Sequence, residues 1–153
     1  MKILLDCREQ DLFSSLSTVL NKNESKIVIE SSQLKVGDII IQDDEGNELL
    51  VIERKSVKDL AASITDGRYT EQSFRLNNYN IHNHNIIYLI EGSITKYNSK
   101  GRRINKNAIY SSVFTLSYYK GFSVYRTEGL GDTAETIFRI TDKLRREKNK
   151  FGF

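Results

Sequence analysis

Three side chains of this sequence have the types and spacing of a hydrolytic site: Asp38, Glu53 and Lys55. Ile39 to Ile41 form one apolar run and Leu49 to Ile52 another, and Asp43 to Asn47 between them read as a hairpin loop in which Gly46 supplies a positive φ. A turn centred on Glu45 and Gly46 sets Asp38 directly opposite Glu53, with Cβ atoms about 5 Å apart. Two like charges at the end of a buried strand pair repel each other, and desolvation raises at least one pKa. A divalent cation with oxygen ligands relieves both penalties; magnesium is held typically by one or two carboxylates plus waters and phosphate oxygens. The alternative is a bulge that offsets the register and leaves both acids in solvent.

Strand alternation puts Lys55 on the face of Glu53 and Arg54 on the other. An ammonium beside two metal-binding carboxylates can orient an attacking water and offset charge on a phosphoryl group, which is the chemistry of phosphodiester hydrolysis. Ser56 and Asp59 have the spacing of a capping box before a short helix whose buried face is Val57, Leu60, Ala61 and Ile64. Asp59 serves as that cap, as a member of the site, or as both. Arg68, Gln72 and Arg75 follow, with donors for DNA phosphates or for the nearby acids.

The elements that must position these groups alternate along the chain. Strands are expected at residues 2–6, 26–30, 38–42, 49–55, 86–91 and 122–126. Helical stripes lie at Leu12, Leu16, Val19 and Leu20, at Ile109, Val113, Phe114 and Leu116, and at Ile137, Ile140 and Leu144 in a last helix over 133–147. Gly129 to Gly131 read as the turn into that helix, with Asp132 and Glu135 spaced as a capping box. This alternation predicts an α/β domain.

With 153 residues and 39% hydrophobic content, one domain is expected. Neither a membrane span nor a signal peptide is evident, which leads to an expected intracellular location, nucleus or cytoplasm, or a host cell if the source is viral. The single Cys7 suits a reducing compartment. A net charge of +3, from 23 basic and 20 acidic residues, excludes coating of nucleic acid by bulk charge. Local patches remain at Lys100, Arg102 and Arg103 and at Arg145, Arg146, Lys148 and Lys150, with solvated surface as the simpler reading. His82 and His84, with one cysteine, do not form a zinc set.

Gly37-Asp38, Glu53-Arg54-Lys55 and Asp59 together resemble the nuclease motif of the XPF family, GD followed by ERKxxxD. Asp6-Cys7-Arg8-Glu9 is similar to the family's opening Asp-x-Arg-Glu, residues 63–76 to its next segment, and Tyr88 to Gly92 to a core strand. The resemblance implies a restriction-endonuclease-like fold, a mixed central β-sheet flanked by helices. It implies magnesium- or manganese-dependent cutting of branched, flap or fork DNA in repair or recombination. By the same resemblance Asp38, Glu53 and Asp59 are metal ligands, Lys55 and Arg54 belong to the catalytic set, and Asp6, Arg8 and Glu9 stand behind the site. Arg68, Gln72 and Arg75 contact DNA. A homodimer or heterodimer through the nuclease domain is implied, with Tyr110, Phe114, Tyr118 and Phe138 as interface or core residues. The family's tandem helix-hairpin-helix module is absent from this sequence, which is read as one nuclease domain over 1–153. The competing reading is a non-catalytic DNA-binding or scaffolding subunit of a nuclease dimer.

Overall fold

The computed structural model describes residues 1–66, 79–98 and 105–152. Strand β1 (Lys2–Asp6) leads through helix α1 (Gln10–Lys22) to β2 (Val28–Ser32). The hairpin β3 (Ile39–Gln42) and β4 (Glu48–Ser56) follows, then α2 (Val57–Asp66). A 3₁₀ turn at Asn83–Asn85 opens β5 (Ile86–Glu91), and α3 (Lys106–Phe114) runs into a π-helical stretch (Thr115–Tyr119) before β6 (Ser123–Thr127) and α4 (Leu130–Arg146). The described residues form one six-stranded sheet in the order β2-β1-β3-β4-β5-β6. β3 runs antiparallel to both neighbours, and the other pairings are parallel.

The sheet is mixed because only a tight turn joins β3 to β4, whereas helical crossovers join the parallel pairs. Each face carries its own apolar cluster. Ile3, Leu5, Ile39, Ile52 and Leu89 pack beneath α1 and α4 through Leu12, Leu16, Ile137 and Phe138. Ile40, Val51, Tyr88 and Ile90 pack on the opposite face with Val57, Leu60 and Ala61 of α2 and Ile109 and Leu116 of the third helical segment. Both faces being covered, β5 is apolar up to its terminal Glu91 and almost wholly buried.

Several boundaries differ from those expected. β2 lies two residues downstream of its predicted span because pairing of Val28 with Lys2 sets its register at the sheet edge, where propensity decides little. The last helix begins at Leu130, with Gly129 as its cap, so the capping box expected at Asp132 does not form. Asp132 instead sits in the first turn, and its carboxylate accepts the N–H of Glu128 at 2.8 Å. Glu135 pairs with Arg139 one turn along. Phe114, expected on the buried stripe of the third helix, is exposed.

Candidate active site

The hairpin places Asp38 just before β3 and Glu53 in the facing strand β4. Ile39 faces Ile52, Ile40 faces Val51 and Ile41 faces Leu50; the regular register ends there, and Asp38, one residue earlier, lies against Ile52 through its own N–H. A bulge does occur, but between Ile41 and Gln42, at the turn end of the hairpin. There Asp43 accepts the N–H groups of Glu45 and Asn47 with Gly46 at φ +86°.

Gly37 fixes the approach to Asp38. Its φ is +76°, and a Cβ at this position would stand 2.6 Å from Cγ1 of Val51 and 3.3 Å from the carbonyl oxygen of Ile52. Only glycine enters the hairpin so closely without displacing β4. Asp38 is then pinned on both sides: its N–H donates to the Ile52 carbonyl, and its own carbonyl accepts the N–H of Asp6, each at 2.8 Å.

The Asp38 carboxylate accepts the main-chain N–H of Arg54 on Oδ2 at 2.8 Å. No described residue donates to Oδ1. Burial pushes this carboxyl above its usual range, against the Arg54 amide, the Lys55 ammonium and Arg8, which pull it down. Glu53 is half-buried on β4. Lys55 is only 9% exposed, yet its ammonium forms no hydrogen bond or ion pair with a described residue. A lysine confined next to carboxylates but uncommitted is available to a substrate oxygen.

Asp59 lies exposed in the first turn of α2, where its N–H donates to Ser56 Oγ at 3.0 Å. Half of the expected capping box is thus formed, by the serine. Among the described residues no three His, Cys, Asp or Glu side chains gather closely enough to form a metal cluster. Asp38, with no described donor on its Oδ1, and Glu53 on β4 are carboxylates of the kind that magnesium or manganese takes together with water and phosphate oxygens.

Arg54, expected in the catalytic set, turns to the other face and is held by carboxylates. Its Nε and Nη2 donate side-on to Glu91 at 3.1 and 3.0 Å, and Nη1 donates to Glu9 at 2.7 Å and to Asp11 at 3.3 Å. The side chain is 13% exposed. These contacts are those of a residue that supports the site from behind rather than one that holds phosphate. Burial opposes the Arg54 charge, but Glu91 and Glu9 outweigh it and hold the guanidinium more firmly protonated. Burial pushes Glu9 up, countered by its Arg54 bond and reinforced by the Asp38 charge. Glu91 also accepts Thr133 Oγ1 at 2.5 Å, tying the start of α4 to the same cluster. Sequence reasoning missed Glu91, Asp11 and Thr133. Glu91 alone left a signal, an acid ending an apolar strand as Glu53 does.

Asp6 ends β1 beside Asp38, and Arg8 pairs with it at 2.7 Å. Arg68, Gln72 and Arg75 lie outside the described residues, as does the patch at Lys100, Arg102 and Arg103. The other basic patch is occupied: Arg145 and Arg146 bind Asp142, Lys150 binds Glu147 and Lys148 approaches Asp44. Asp6, Glu53 with Lys55, and Glu91 lie toward the carboxyl ends of β1, β4 and β5, where α/β sheets place their sites, and Asp38 joins them from the amino end of the antiparallel β3.

Residues 5–140 match the ERCC4 domain. The chain belongs to the ERCC4-domain family. This is the XPF-type nuclease family that the motif resembled. Over 160 residues the ERCC4 domain is 34% identical to the probable crossover junction endonuclease mus81 of Dictyostelium discoideum, covering 93% of this chain and 17% of that protein. It is 36% identical over 130 residues to the 3'-flap repair endonuclease Xpf of Saccharolobus solfataricus, covering 83% of this chain and 50% of the relative. The chain thus spans half or less of these curated relatives. Among solved structures, XPF from Aeropyrum pernix superimposes with a TM-score of 0.73 at 24% identity, over 97% of this chain and 68% of that one. The fold of this ERCC4 domain is accordingly restriction-endonuclease-like.

Proposed function

We propose that this chain is the catalytic domain of a metal-dependent DNA endonuclease that hydrolyses phosphodiester bonds at branched, flap or fork DNA in repair or recombination. The observation that carries the reading is the buried Asp38 held against the end of β4 that bears Glu53 and Lys55, with no described residue bonded to the Lys55 ammonium. The names of relatives support it, a crossover junction endonuclease and a 3'-flap repair endonuclease, as does the likeness to an XPF solved in complex with DNA.

In this reading Asp38 and Glu53 hold a magnesium or manganese ion, with Asp59 as a third carboxylate at its margin. When bound, the ion lowers the pKa of a water and neutralises charge on the phosphate. Lys55 orients that water and offsets the charge that builds on the non-bridging oxygens. Arg54 keeps β4, β5 and the start of α1 in fixed relation, so that these groups do not drift apart. Arg68, Gln72 and Arg75 contact the DNA backbone. The protein acts as a homodimer or heterodimer, and exposed Tyr110, Phe114, Tyr118 and Tyr119 supply an apolar face for the partner. Phe138, by contrast, is buried in the core. Its place of action is the nucleus or cytoplasm.

No helix among the described residues is long and apolar enough to cross a membrane. Labelled fork, flap and duplex substrates, incubated with and without magnesium, test the reading. Cutting of branched substrates that needs the metal, and that Asp38→Ala abolishes without unfolding the chain, supports it. Activity that survives Asp38→Ala assigns catalysis elsewhere and makes the chain a scaffolding subunit.

A further inference from the structure

We propose that Arg8 binds a backbone phosphate of the DNA next to the cut, and that the buried carboxylate of Asp6 holds it in position to do so. Asp6 is 2% exposed, and both of its oxygens are taken. Oδ1 accepts the N–H of Leu34 at 3.0 Å, and Oδ2 accepts the main-chain N–H of Arg8 at 3.1 Å and its Nε–H at 2.7 Å. A carboxylate so filled by N–H donors is an orienting group rather than a free metal ligand. Burial alone would raise its pKa, but the bonds from Arg8 and Leu34 outweigh that and hold it below the usual range, so it stays charged.

The arginine that Asp6 holds is itself 78% exposed. An exposed ion pair contributes little to stability, and burying one carboxylate to make it is a poor exchange on those grounds alone. The geometry points outward instead. With Nε fixed on Asp6, the two Nη groups face solvent, and no described residue accepts from them. That leaves a planar fork of N–H donors of the kind that takes phosphate oxygens in pairs. It stands beside the site, because the N–H of Asp6 is bonded to the Asp38 carbonyl at 2.8 Å and the Arg8 charge acts on the Asp38 carboxylate. A fork fixed at one end gives up less side-chain freedom on binding than an arginine with no such anchor would.

The proposal rests on the nuclease reading for its substrate, so its test does not depend on cutting. Binding of the full chain to a fluorescent fork oligonucleotide is followed by anisotropy in chelator across a salt series. Arg8→Ala is expected to weaken binding roughly tenfold and to lower the slope of log affinity against log salt by about one. Arg8→Lys keeps the charge without the fork and is expected to restore the slope but only part of the affinity. Asp6→Asn leaves the arginine unaimed and is expected to behave as Arg8→Lys does, with circular dichroism confirming the fold. Wild-type affinity and slope in Arg8→Ala overturn the proposal, as does a wild-type chain with no salt-dependent binding. A chain that binds through Arg8 but cuts nothing under any metal overturns the nuclease reading alone.

Discussion

The main-chain N–H of Arg54 donates to the Asp38 carboxylate at 2.8 Å while the Arg54 guanidinium, on the other face of the sheet, is held by Glu9, Asp11 and Glu91. One residue thereby links the candidate metal site to the ends of α1 and β5. The backbone aims an acid, and the side chain fixes the strand from which it is aimed.

That division predicts what removal of the guanidinium does. Arg54→Met leaves Glu9 and Glu91, each 15% exposed, facing one another without a cation. Loss of one partner from a buried charge cluster costs about 3–5 kcal/mol, so urea unfolding at pH 7 should show a loss of this size. Burial already pushes Glu9 up, and without the arginine bond that counters it Glu9 protonates more readily. The deficit should therefore shrink as pH falls through the carboxylate range. A deficit that stays constant with pH contradicts the assignment.

Lys55 carries the opposite expectation. Since no described residue pairs with its ammonium, Lys55→Met should unfold at the same urea concentration as the natural protein or higher. Cutting should nonetheless fall about 10²–10³-fold, the cost of removing one charge-stabilising donor. Single-turnover rates with saturating DNA separate this from weaker binding. Equal losses of stability and rate would make the lysine structural.

Gly37 is required by space as well as by φ. Gly37→Ala must move Val51, whose Cγ1 lies 2.6 Å from the added carbon, and must hold φ +76° with a side chain. A loss of about 2–3 kcal/mol in urea unfolding is expected. Gly46 has open space around it, so Gly46→Ala should cost about 1 kcal/mol through φ alone. Equal costs at the two positions would show that the close approach to β4 contributes nothing.

Asp6 gives a dependence on pH of known sign. Its folded pKa is depressed, because the bonds from Arg8 and Leu34 outweigh the burial that would raise it. Its contribution is therefore present above the unfolded value, near 4, and is lost as pH falls through the folded one. Asp6→Asn should be about 2 kcal/mol less stable at pH 7, since an amide nitrogen must face one of those donors. The gap should close progressively below pH 4. A gap that widens in acid would mean that Asp6 is neutral in the folded protein.

The sequence made some of this architecture visible and hid the rest for physical reasons. The bounds of β1 and β5 and the antiparallel pairing of β3 with β4 follow from local alternation and a short turn, which a single chain displays. The Arg54 cluster does not, because Glu9 and Glu91 reach it only through the packing of α1 and β5 around β4. Phe114 was misplaced by treating an aromatic as part of a stripe. At about 100° per residue it stands about 140° from Ile109 and so faces outward. Beyond it Lys120 donates to Thr115 in the wider π turn, and Tyr118 and Tyr119 stay exposed with Phe114 and Tyr118 stacked at 5.2 Å. The motif residues were legible as types, but the commitment of Arg54 and the freedom of Lys55 required coordinates.

An anomalous difference map from a crystal soaked in manganese tests the account at its centre. The prediction is a peak at the Asp38 and Glu53 carboxylates, absent from the same crystal form of Asp38→Asn. A well-diffracting soaked crystal with no peak there, or with an unchanged peak in Asp38→Asn, would contradict it.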